Sequence, residues 1–499
     1  MPTGPVVTRP SVAIIGAGFS GVGLGVALRR AGLESFTIYE RGDDVGGVWR
    51  ENTYPGAACD VPSYLYSYSW RQRRRWTRPC SPQQEILDYL RETAAEHDLY
   101  RHLRTGAEVQ RATFDEAARR WRLVVRGTDG TEHEDTADVL VVACGQLSRP
   151  SWPSIPGRER FGGHSFHSAE WDHGYDMTGK RVAVIGTGAS AVQFVPLIAE
   201  QAAHLDVYQR TPPWMLPRRN NAYTWLVRAL IHRLPGLQAA RRLGMEAFME
   251  VSIKGLTTIP PIRWSLYAWS AAFMRRQVRD PELRRRTKPD YPIGCKRVLF
   301  SSHYLPTLAR SDVELVTDLI REITEDAVVT ADGTSRPVDC IVYGTGFRTN
   351  DFVLPMRVTG AGGLDLQQAW AGGAAAHLGL TVPGFPNLFL LYGPNTNLGI
   401  GSIVVMIEAQ VRYVVDAVGR IARRPGTLLE VRPEVWRASD ERTQERLRHS
   451  VWTSCRSWYR DASGRVANNW PGTMREYVTL TRRLDPTEYR ELEPTGTGG

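Results

Sequence analysis

The residue types best suited to chemistry stand in two glycine-rich loops and in the segments just downstream of each. GAGFSG occupies residues 16–21, after the apolar run VAIIG at 12–16 and before a stretch able to form a helix; FTIYE comes next at 36–40. Strand, turn, helix and strand in that order make a dinucleotide-binding unit. Gly16 permits the tight turn, Gly18 lets the backbone approach a pyrophosphate, and Gly21 lets the helix pack closely on the strand. Phe19 and Ser20 complete the loop. The helix start offers unpaired N–H groups and partial positive charge to phosphate. Glu40 stands 19 residues beyond Gly21, where a carboxylate can accept bonds from a ribose hydroxyl.

The second loop is GTGASA, residues 186–191, after the strand-like RVAVIG at 181–186. It contributes Gly186, Thr187, Gly188, Ala189 and Ser190; Ala191 replaces the third glycine, and Gln193 lies just beyond in the helix. The strand expected next, within LDVYQRTPPW, ends in Gln209-Arg210-Thr211 rather than in an acid. A carboxylate there would repel a 2′-phosphate, whereas an arginine and a hydroxyl bind one. This site should therefore take NADPH in preference to NADH. One nucleotide site of each kind implies one cofactor that stays and one that visits, which fits a flavin reduced by a nicotinamide.

Upstream of the second loop lies FGGHSFHSAEWD, residues 161–172. It has neither helical nor strand period and is expected to be a loop, yet it gathers Phe161, Gly163, His167 and Trp171. GGVWRENTYPGAACD, residues 46–60, is turn-rich and ends in Asp60, which on residue type alone suits a solvated loop acid. ADVLVVACGQ (137–146) and VDCIVYGTGF (338–347) are apolar strands ending in glycine turns, placed where the chain would cross between domains. WRLVVRGTDGTEHEDTADVL reads as a hairpin with Asp129-Gly130 at its tip.

The whole pattern resembles the flavin-dependent monooxygenases, and within them the Baeyer–Villiger branch. Its fingerprint FxGxxxHxxxW, followed by Pro or Asp, is met by Phe161, Gly163, His167, Trp171 and Asp172. Its GGxWxxxxYPGxxxD pattern is met by Gly46, Gly47, Trp49, Tyr54, Pro55, Gly56 and Asp60. The resemblance runs from about residue 10 to about residue 480 and is poorest at 215–291. It implies FAD held by the first loop together with Gly47, Val48, Trp49, Tyr54, Asp60 and Tyr66. GCKRVLFSS (294–302) resembles the segment bearing the essential arginine; that match puts Arg297 beside the flavin and Lys296 on the 2′-phosphate with Arg210 and Thr211. SWYRDASG (457–464) resembles a loop whose tryptophan, here Trp458, folds over the cofactor. His167 is implied to be a relay between conformations, with Trp171 beside it, and Asp60 to partner Arg297. The implied reaction uses NADPH and molecular oxygen to insert oxygen next to a ketone carbonyl through a peroxyflavin.

The expected fold is therefore α/β, with two Rossmann-like domains and a helical insertion in the second. The FAD part takes residues 1–150 and 348–499; the NADP part takes 151–214 and 292–347; the insertion takes 215–291. The 499 residues, 42% hydrophobic and 23% charged, suit a globular chain of roughly two to four domains. No apolar run reaches the ~20 residues of a membrane span, and the N-terminus lacks a secretory pattern. The six cysteines form no CxxC pair, which disfavours a zinc site and a disulfide reductase and makes a reducing cytoplasm the expected setting. No metal is expected. Net charge is +9, and residues 215–291 carry fifteen Lys or Arg against five Asp or Glu. Nucleic acid or lipid could meet such a surface, but a solvated helical insertion is the more ordinary use, with Trp264 and Trp269 in its core. Oxidation of nitrogen or sulfur and a non-catalytic redox sensor are the alternatives; a serine hydrolase is disfavoured because no GxSxG follows a strand.

Overall fold

The computed structural model describes residues 9–492. The strand Val12–Ile15 is buried along its whole length, as a strand covered on both faces must be. It lies at the centre of a parallel sheet ordered Leu388–Leu390, Val139–Val142, Val12–Ile15, Phe36–Tyr39, Leu103–Arg104. Strand order reverses at Val12–Ile15, so a crevice opens at its carboxyl end, where open α/β sheets bind ligands. The helix Phe19–Arg30 leaves from that end and packs on the long helix Ile403–Arg423. Gly16 has φ +106°, and a Cβ on Gly21 would stand 1.9 Å from the Gly16 carbonyl oxygen. The tight turn and the close packing thus require glycine for two different reasons.

A second parallel sheet repeats the scheme: Val313–Val316, His204–Tyr208, Arg181–Ile185, Cys340–Tyr343, His164–His167. The helix Ala191–Ile198 comes directly after its glycine loop. Here the structure departs from the sequence reading. The middle of FGGHSFHSAEWD is not a loop: His164–His167 is the edge strand, paired with Cys340–Tyr343. Four residues are too few to display a period, and pairing with a fully buried neighbour supplies the order. The hairpin is present, Arg120–Arg126 with Glu132–Ala137, and belongs to a separate sheet with Glu108–Asp115 and Arg357–Thr359.

Residues 215–291 contain three successive helices, Trp225–Arg233, Pro235–Thr257 and Pro260–Gln277, followed by Pro281–Thr287. Trp264 and Trp269 are 64% and 48% exposed, so they are not core residues; they lie on the outer side of their helix. The cysteines also depart from expectation. Cys295 and Cys455, 160 residues apart, are joined in a disulfide that ties the segment just before Arg297 to the C-terminal loop. Spacing in sequence carried no hint of it, because the pair is made by the packing of distant segments. Cys340 is buried and Cys144 partly so, consistent with packing.

The contrast between glycines is testable by thermal unfolding. Gly21→Ala, which drives a methyl group into backbone, should cost at least about 2 kcal/mol. Gly188→Ala, where a Cβ meets nothing within 4 Å, should leave stability within about 0.5 kcal/mol.

Candidate active site

At the first loop, Glu40 is buried and its carboxylate accepts bonds from Ala17 N (2.9 Å), Gly42 N (2.9 Å) and the Arg50 guanidinium (3.0 Å). It therefore fixes the glycine loop itself, with Arg50, which sequence reasoning missed, balancing its charge. Gly47 has φ +54°, and its Cβ would come 3.1 Å from Gly18 Cα. Two bare backbones thus face each other beside the free N–H groups that open Phe19–Arg30, a surface that suits a pyrophosphate. Phe19 packs edge-on to Tyr66 at 5.1 Å, and Trp49 Nε1 donates to Tyr66 Oη at 3.1 Å. Ser20 is buried in the helix start, and Val48 is half-buried at the head of a short helix.

At the second loop, Gly186 has φ +112° and a Cβ would meet Gly344 O at 2.3 Å. Gly188 and Ala189 are exposed, leaving the loop open to a ligand, with Thr187 and Ser190 partly covered. Thr187 Oγ1 donates to Thr211 O at 3.3 Å, and Lys296 Nζ donates to Thr211 Oγ1 at 2.8 Å. Burial first, and then the field of Arg210, push the Lys296 pKa down. Two cations and a hydroxyl that are distant in sequence thus converge at the end of His204–Tyr208. Crowded like charges with no carboxylate bonded to them among the described residues suit an anion such as phosphate.

Asp60 and Arg297 form a closely bonded ion pair. The Arg297 guanidinium donates to Asp60 three times: Nη2 to Oδ1 at 2.7 Å, Nη2 to Oδ2 at 2.7 Å, and Nε to Oδ2 at 3.1 Å. The side chains are 32% and 20% exposed, so the pair faces a partly open space. Burial would raise the Asp60 pKa, but the Arg297 charge and hydrogen bonds, with Arg218 adding to them, hold it below the usual carboxylate value. Asp60 in turn raises Arg297 further above its ordinary value, against burial. Both groups are charged at any working pH.

A small parallel pair, Met215–Leu216 with Leu299–Phe300, positions two cations at once. Arg297 precedes it, and Arg218 follows it and donates to Cys59 O at 2.7 Å, next to Asp60. Asn220 exchanges 2.8 Å bonds with the Cys80 backbone on the same loop system. Tyr459 is fully buried, its hydroxyl finds no partner among the described residues, and it lies in the field of Arg297 and Asp60. Burial pushes its pKa up to about 12, so it keeps its proton. Its neighbour Trp458 is 37% exposed. Neither Arg218 nor Tyr459 has a sequence signal beyond proximity to a matched motif.

The segment from His167 to Trp171 lies against the chain crossings. His167 is fully buried between Trp152 and Phe347, rings 5.5 Å and 6.1 Å away, one on each crossing. Its Nδ1 accepts from Ala169 N at 3.1 Å. Trp171 packs on Phe166 and on Phe194, which also meets Tyr54. Gln193 bonds across to the Asp60 loop. Its amide bonds Ala58 N (3.1 Å), Ala58 O (3.0 Å) and Tyr54 Oη (3.3 Å), stitching the second loop's helix to the Asp60 loop.

The chain is similar to known proteins over nearly its whole length. Residues 9–237 match the family described as flavin-binding monooxygenase-like. A Baeyer–Villiger monooxygenase of Streptomyces coelicolor is 44% identical over 97% of this chain and 93% of its own length. A solved steroid monooxygenase bound to NADP superposes with a TM-score of 0.86 at 32% identity, covering 98% of this chain and all of that one. OTEMO, solved in complex with FAD and NADP, gives 0.86 at 27% identity over 97% of this chain and 100% of its own. The chain belongs to the flavin-binding monooxygenase family and, within it, to the Baeyer–Villiger monooxygenases.

Proposed function

We propose that this enzyme inserts one oxygen atom beside the carbonyl of a small ketone, giving an ester or lactone, with Arg297 as the group that makes the insertion possible. FAD is assigned to Gly16, Gly18, Phe19, Ser20, Gly21 and Glu40 at one end and to Gly47, Val48, Trp49, Tyr54, Asp60 and Tyr66 along its length. NADPH is assigned to Gly186, Thr187, Gly188, Ala189 and Ser190, with Arg210, Thr211 and Lys296 on its 2′-phosphate; Gln193 steers the loop between the two cofactors. When bound, the two cofactors supply hydride transfer and oxygen activation.

The observation that carries this reading is the threefold contact of Arg297 with Asp60 at a partly open site joining the two halves. Oxygen transfer to a carbonyl carbon needs a nucleophilic, negatively charged oxygen. A guanidinium is always charged, planar and fixed by its partner, and in a site closed to water it stabilises such an anion strongly. Asp60 orients Arg297 and balances its charge while no anion is present. The Tyr459 hydroxyl offers a proton-bearing donor at the same place. The loop bearing Trp458 keeps water out, and His167 relays movement between the crossings.

Three outcomes test these roles. Arg297→Ala should still permit reduction of the flavin by NADPH but lower ester formation by about a thousandfold, read by mass detection of the oxygenated product; full oxygenation overturns the assignment. Arg210→Ala should raise KM for NADPH about tenfold or more and leave KM for NADH unchanged; equal effects on both contradict the phosphate role. Burial pushes the His167 pKa down to about 4, against an unfolded value of about 6.5. The unfolded chain then binds a proton that the folded one refuses, so His167 costs stability as pH falls from about 6.5 to 4. His167→Gln should flatten that part of a plot of melting temperature against pH, whereas an unchanged slope removes the neutral-histidine assignment.

A further inference from the structure

The middle helix of the insertion, Pro235–Thr257, is apolar on its outer face as well as on its inner one. Its outer positions recur at helical spacing and include Ala240, Leu243, Ala247, Phe248 and Val251. Leu243, Phe248 and Val251 are 58%, 53% and 54% exposed. Its inner positions bury Met249, Ile253 and Leu256 and also hold bonded polar groups. Arg242 donates to Tyr64 O at 2.7 Å and pairs with Glu246 at 3.0 Å, and Gln238 Nε2 donates to Arg73 O at 3.1 Å. A helix facing water carries polar residues on that outer face instead. The flanking helices add Trp225 at 74% and Trp264 at 64% exposure.

Charge says what this face meets. The exposed ionic side chains of the three helices are Arg228, Arg233, Lys254, Arg275 and Arg276, all cations. The two carboxylates of these helices are engaged elsewhere, Glu246 with Arg242 and Glu250 accepting from Arg475 N at 3.0 Å. A second copy docking through the same patch would set cation against cation. Exposed apolar side chains including tryptophan, on helices whose exposed charges are all lysine and arginine, are what an anionic lipid surface accepts. No helix among the described residues is long and apolar enough to cross a membrane, so contact would be at the surface. We propose that the outer face of Trp225–Arg233, Pro235–Thr257 and Pro260–Gln277 seats this enzyme on an anionic lipid surface. The opposite side of the same insertion reaches inward, where Leu256 lies against Gly294, close to Arg297 in the chain. An apolar ketone carried in lipid would thus be offered next to the site. That purpose rests on the proposed reaction, whereas the binding itself does not.

The test is co-sedimentation of the flavin-loaded full chain with phosphatidylcholine vesicles, with and without phosphatidylglycerol, scored without turnover so that its failure leaves the proposed reaction standing. Partition onto phosphatidylglycerol vesicles should exceed that onto pure phosphatidylcholine by about tenfold or more and fall with added salt. Phe248→Glu with Val251→Glu should abolish it, and Arg275→Glu with Arg276→Glu should reduce it by more than about tenfold. Both pairs are surface changes, and an unaltered melting temperature and kcat confirm the fold. Equal binding to both vesicle types, no binding at all, or a doubled mass by light scattering that the Phe248 and Val251 changes reverse would each overturn the proposal, the last by showing a protein partner instead.

Discussion

The ion pair between Asp60 and Arg297 is the constraint on which the site depends. Asp60 ends a loop of the first half, and Arg297 lies in the second; neither is held by its own sheet alone. A guanidinium partly withdrawn from water is steadied by a partner, and a bidentate carboxylate satisfies its charge and its geometry together. The pair is therefore a joint between halves as well as a chemical group. Arg218 on Cys59 O, Asn220 on Cys80 and Gln193 on Ala58 surround it with further contacts of the same direction, each reaching from the second half to the first.

Around that joint the two parallel sheets do similar work in different ways. Each presents a glycine loop at the carboxyl end of a central strand. The first is closed by a buried carboxylate that grips the loop, and the second is open and ends in a crowd of cations. A cofactor that stays and a cofactor that visits call for that difference in exposure.

Much of the fold was legible because buried parallel strands and glycine turns leave strong marks on a sequence. The strands either side of GAGFSG and GTGASA form, as does the hairpin at Asp129-Gly130. What was not legible depends on tertiary contact. His164–His167 is a strand only because Cys340–Tyr343 offers it an edge. The Cys295–Cys455 bridge joins segments with no local relation. Trp264 and Trp269 were expected inside from residue type, but their helix turns them outward. At the site, spacing and charge alone singled out Glu40 and the Arg210–Thr211 pair. Asp60 and Arg297 were not among them: on residue type Asp60 is a solvated acid, and only the family resemblance singled out both. Arg218, Arg50 and Tyr459 have no pattern at all, since each is defined by what it touches.

If Asp60 and Arg297 act as one unit, removing either should remove most of what both provide. The most direct measurement is a double-mutant cycle of Asp60→Ala and Arg297→Ala, read as kcat/KM for ester formation. The expected result is strong non-additivity, with the double variant losing no more than Arg297→Ala alone. Independent, additive losses would mean that the two side chains serve the reaction separately and that the joint between the halves is not what makes the chemistry possible.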